Sequence, residues 1–95
     1  MENINMETTP YFWVALDRED RKGVTQELCE RIVRENRYNE SDPVEGRRRY
    51  YGYVELPGCN PRWVRVITDA GALHNAMYDR TFPRRLDRGD FTERS

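Results

Sequence analysis

The chain has 95 residues, of which 37% are apolar and 35% charged, enough for one small hydrophobic core and no second domain. Net charge is −1, but residues 1–45 carry 11 acids and 6 bases while residues 46–95 carry 6 acids and 10 bases. No apolar run approaches membrane-spanning length, and two isolated cysteines with no secretory leader point to a reducing, cytoplasmic setting with no membrane partner.

In chain order, residues 1–9 are polar and read as a flexible tail. Tyr11-Phe12-Trp13-Val14-Ala15-Leu16 is the most apolar run; its length and aromatic content suit a short strand, with a buried helical turn as the alternative that period alone does not decide. A charged connector follows from Asp17 to Lys22. Val24 to Arg37 is then the one clear amphipathic helix. Thr25 is its N-cap and Val24, Leu28, Cys29, Ile32 and Val33 form its apolar stripe. Cys29 is accordingly a core residue rather than a reactive thiol. Tyr38 to Glu45 reads as a turn-rich linker, because Asp42-Pro43 disfavours further helix.

Three strands come next. Arg47 to Leu56 is rich in Tyr and Val, and Pro57-Gly58 closes it with a type II turn. From Arg62 the alternation is clean, with Val64 and Val66 on one side and Trp63, Arg65 and Ile67 on the other. Thr68 to Gly71 reads as a short type I hairpin loop with Gly in the left-handed position. Ala72 to Tyr78 returns as the third strand. Its apolar Leu73 and Met77 favour an inward Asn75 and an outward His74 and Tyr78. Residues 83–95 read as a second flexible tail, leaving a single domain over 10–82. The expected class is α+β: one main amphipathic helix packed on a three- to four-stranded antiparallel sheet.

The chain has no glycine-rich phosphate loop, no Cys-x-x-Cys and no His-Glu-x-x-His, so neither a metal nor a cofactor is expected. Arg, Tyr and one His on a sheet are nevertheless the groups that metal-independent RNA cleavage needs. The 2′-hydroxyl is the nucleophile, His moves a proton, and Arg neutralises charge developing on phosphorus. His74, Arg65 and Tyr78 are the candidate catalytic residues. Arg49, Tyr51, Asn75 and Arg80 are the candidate RNA- and phosphate-binding residues. A non-catalytic module binding nucleic acid or protein through the same surface is the alternative.

Trp63-Val64-Arg65-Val66-Ile67 and His74-Asn75-Ala76-Met77-Tyr78-Asp79 together resemble the strand motifs of the small ribonuclease-toxin superfamily of barnase, EndoU, colicin and RelE domains. The resemblance spans residues 11–82 and is strongest to compact toxin–antitoxin and phage members. It implies an RNA substrate and a protein antitoxin or homo-oligomer partner covering the sheet. It also places Asn75, rather than His74, on the working face. Asn75 and Met77 depart from the Thr and aromatic usual in that motif, and no His stands in or before the first helix.

Overall fold

The computed structural model describes residues 5–55, 58 and 60–91. Its architecture is α+β: a four-stranded antiparallel sheet in the order β1-β2-β3-β4, with helices on both faces. The elements are α1 (Pro10–Leu16), α2 (Gln26–Glu35), β1 (Tyr38–Ser41), β2 (Arg47–Val54), β3 (Arg62–Asp69), β4 (Ala72–Tyr78) and α3 (Phe82–Asp87). A 3-10 turn at Glu19–Arg21 joins α1 to α2.

Helix α2 forms where periodicity places it. Thr25 accepts a hydrogen bond from the Leu28 N–H at 3.2 Å, and Asn36 ends the helix with a left-handed φ of 48°. Cys29 and Ile32 face the sheet, where Val54, Val64, Val66, Leu73 and Ala76 complete a dry core. Gly52 lets α2 approach β2 closely, since a Cβ there would lie 2.6 Å from Ile32 Cγ1. Burial pushes the Cys29 thiol up to about 12, which makes it a small hydrophobe rather than a nucleophile.

Tyr11 to Leu16 is helix, not strand. An all-apolar run has no period to decide the matter, whereas Pro10 at the first helical position presets φ for a helix start. Only Phe12 and Ala15 are fully buried, and they pack α1 towards β4. Tyr38 to Ser41, expected as linker, is instead the edge strand β1, paired Tyr38↔Tyr51 through Ser41↔Arg48. Four residues give no alternation long enough to recognise. The β3–β4 hairpin is also tighter than a type I loop: only Ala70 and Gly71 lie between the strands, with φ of 50° and 87°. Two consecutive positive φ values characterise the type I′ turn. Gly58 has the positive φ of 76° expected of it, while Pro57 lies outside the described residues.

A bulge between Ile67 and Thr68 changes the face assignment on β4. Leu73 pairs with Thr68 and Ala76 with Val66, so both are buried beneath α2. Asn75 and Met77 pair with Ile67 and Arg65 on the opposite, outer face, and Tyr78 pairs with Val64 on the inner one. Simple alternation placed Asn75 inward and Tyr78 outward; the extra residue at the bulge reverses both.

The segments expected as tails carry specific contacts. Leu73 N–H donates to the Glu7 carbonyl at 2.8 Å and Thr9 N–H to the Leu73 carbonyl at 2.9 Å, so residues 7–9 cap the free edge of β4. Residues 82–91 fold over the outer face: Phe82 is fully buried and stacks on Tyr51 at 4.2 Å, and Phe91 sits 5.5 Å from the same ring. No helix among the described residues is long and apolar enough to cross a membrane.

Candidate nucleic-acid interface

The sheet carries two clusters with similar residue types and different chemistry. At the β1–β2 end, Tyr38, Tyr51, Trp63, Phe82 and Phe91 form an aromatic cluster. Above it Glu40 is held on three sides. Arg85 donates to both of its oxygens at 2.6 and 2.9 Å, and the Tyr51 hydroxyl donates at 2.5 Å. Arg49 donates to Asp42 at 2.8 Å. The Arg85 fork chiefly holds the Glu40 carboxyl below its usual range, against the opposing effect of burial. Every charge in this group is answered by another, and Tyr51 is only 1% exposed. The cluster fastens α3 to the sheet.

At the end of the sheet where β3 starts and β4 finishes, a cleft of about 730 Å³ wraps round the rim, with Trp63 and Met77 on its outer side and Arg62 and Tyr78 on its inner side. Its walls come from the start of β3 (Arg62, Trp63), the end of β4 (Met77, Tyr78), Asp79-Arg80, Pro83 and the 3-10 turn (Asp20, Arg21). The Arg62 guanidinium lies 4.7 Å above the Tyr78 ring, a cation–π stack with Arg62 exposed to solvent. Tyr78 is fixed by donating its hydroxyl to the Lys22 carbonyl at 2.6 Å. Arg21 is nearly buried, with Nε donating to the Ala76 carbonyl and Nη1 to Asp20 Oδ1, both at 2.6 Å. Arg80 is exposed, and neither it nor Arg62 pairs with an acid among the described residues.

Asp79 joins the cleft to α3. Its Oδ1 accepts from the Thr81 N–H, the Thr81 hydroxyl and the Phe82 N–H at 2.8–3.0 Å, and Oδ2 faces Arg65 Nε at 3.5 Å. Burial pushes this carboxyl up, but the Thr81 bonds, the Arg65 charge and the Phe82 bond together outweigh it and hold it down. Asp79 is therefore an ionised anchor for the first turn of α3.

The residues read from sequence as catalytic are not gathered at one point. His74 Nδ1 shares a 2.8 Å hydrogen bond with the Thr9 hydroxyl, and its ring stacks against Tyr11 at 5.2 Å, beside α1. Tyr78 lies four residues along β4, about 13 Å away at strand rise. Arg65 sits on the outer face against Asp79. Among the binding candidates Arg80 lies in the cleft, whereas Arg49 and Tyr51 belong to the α3 fastening. Asn75 is on the outer face, its Oδ1 accepting from the Ala76 N–H at 2.8 Å. Sequence reading missed Arg21 and Arg62. Alternation puts Arg62 with Val64 and Val66 on the covered side of β3, so it carried no binding signal; nor did Arg21, in a charged loop.

Among the described residues no group of three or more His, Cys, Asp or Glu is placed to hold a metal ion. No family model, curated protein or solved structure matches this chain.

Proposed function

We propose that the protein is a single-stranded RNA-binding module that takes a short segment of the strand into the cleft between β3, β4 and the 3-10 turn. The observation that carries this reading is the Arg62–Tyr78 stack beside Trp63, flanked by Arg21 and Arg80. A base stacks on an arginine plane or an indole face, while neighbouring guanidiniums hold phosphate. Three arginines face two aspartates in the cleft, leaving it net positive in a chain whose overall charge is −1.

Binding is favoured over RNA cleavage for a geometric reason. Transfer of the 2′-hydroxyl proton needs a base within hydrogen-bond reach, about 3 Å, of the bound strand. His74 stands at the other end of β4 with Nδ1 occupied by Thr9, and Asp79 is committed to α3. The resemblance to ribonuclease toxins rests on the Trp63–Ile67 and His74–Asp79 motifs and does not by itself supply that base.

Titration of a labelled single-stranded hexaribonucleotide tests the proposal. Binding should weaken about tenfold or more in the double variant Arg62→Ala, Arg80→Ala and stay unchanged in Arg48→Ala, which lies at the far end of the sheet against Asn39 and Ser41 of β1. The logarithm of affinity should fall with the logarithm of salt, with a slope near −2 for about three phosphate contacts. Shortening of the RNA in EDTA would replace this reading with the catalytic one, and equal loss in Arg48→Ala would remove the cleft from it.

A further inference from the structure

Resting on the RNA-binding reading, we propose that Asp20 occupies the phosphate position of the cleft in the free protein and is displaced when a phosphate arrives. Arg21 is the fixed half of this arrangement. Its side chain is only 9% exposed, and Nε is tied to the Ala76 carbonyl on the edge of β4, so the guanidinium cannot swing away. One edge of that guanidinium is spent on the backbone; Nη1 meets Asp20, and Nη2 makes no hydrogen bond among the described residues.

Asp20 is the movable half. Its side chain is 68% exposed, and its partners are Arg21 Nη1 at 2.6 Å and, through the same oxygen, Arg18 Nε at 3.8 Å. A nearly buried guanidinium beside an exposed aspartate, inside a cleft that holds two further arginines, is an anion site with a carboxylate already in it. A phosphate carries more oxygens and more charge than a carboxylate, so it can take Arg21 and draw on the cleft's other arginines as well. Asp20 therefore lowers affinity for every phosphate ligand and keeps Arg21 from binding small anions indiscriminately.

The account makes an unusual demand: removing a residue from the lining of the site tightens binding. With the full-length chain and the same hexaribonucleotide, Asp20→Asn should raise affinity about three- to tenfold, while Asp20→Glu stays near wild type. Glu19→Gln removes an equal charge one residue away and serves as control for the general field; it should change affinity less than twofold. Arg21→Gln added to Asp20→Asn should abolish the gain. Equal tightening by Glu19→Gln and Asp20→Asn would overturn the displacement model, as would no tightening by Asp20→Asn while Arg62→Ala still destroys binding. Absence of RNA binding by wild type and Asp20→Asn alike would overturn both this model and the RNA reading.

Discussion

The two clusters on the sheet are built from the same residue types, aromatic rings and arginines, yet their charges stand in opposite states. At the β1–β2 end Arg49 and Arg85 each have an acid, and the rings are buried against Phe82 and Phe91. At the β3–β4 end Arg62 and Arg80 have none among the described residues, and Arg62 lies exposed on Tyr78. Composition does not separate a structural cluster from a candidate binding site. What separates them is whether the charges are already answered within the fold.

The largest test of this contrast is removal of Phe82. Truncating a fully buried aromatic leaves a cavity, and Phe82→Ala should cost about 3–5 kcal/mol, read as a lower denaturant midpoint. In whatever fraction remains folded the cleft should still bind RNA, because Arg62 and Arg21 are held by β3 and the 3-10 turn, outside α3. A loss of affinity equal to the loss of stability, with the fold intact, would merge the two ends into one site.

Acid provides a gentler probe of the same fastening. Glu40 and Asp79 have folded-state values held below their ordinary range, so each binds its proton more readily when unfolded. Their stabilisation is complete above the ordinary carboxylate range and is lost as pH falls through and below it, starting near pH 4.5. Glu40→Gln should flatten that decline in chemical denaturation between pH 5 and 3. An unchanged slope would mean that the Arg85 fork contributes nothing to holding α3.

Much of the framework was legible in the residues. The α2 stripe, its Thr25 cap and the burial of Val64 and Val66 follow directly from periods of 3.6 and 2. The bulge at Ile67/Thr68 was not legible, because it arises from competition between burying Leu73 and burying Ala76 on one strand. Nor was the role of residues 82–91, whose Phe82 finds its partner, Tyr51, 31 positions earlier. The candidate site was half visible. Tyr78 and Arg80, candidates from the sequence, both line the cleft, but Arg21 reaches it only because its Nε meets a strand-edge carbonyl, a tertiary fact. His74 was chosen as the sole histidine, and its Thr9 and Tyr11 contacts place it elsewhere.

The smallest expected effect belongs to that histidine, and one experiment sets it against the cleft. Amide chemical-shift mapping during titration with a single-stranded hexaribonucleotide reports every residue at once. The account predicts shifts concentrated at Arg21, Arg62, Trp63, Tyr78 and Arg80, with Thr9, Tyr11 and His74 unmoved. Shifts centred on His74, or on Arg49 and Glu40, would contradict it.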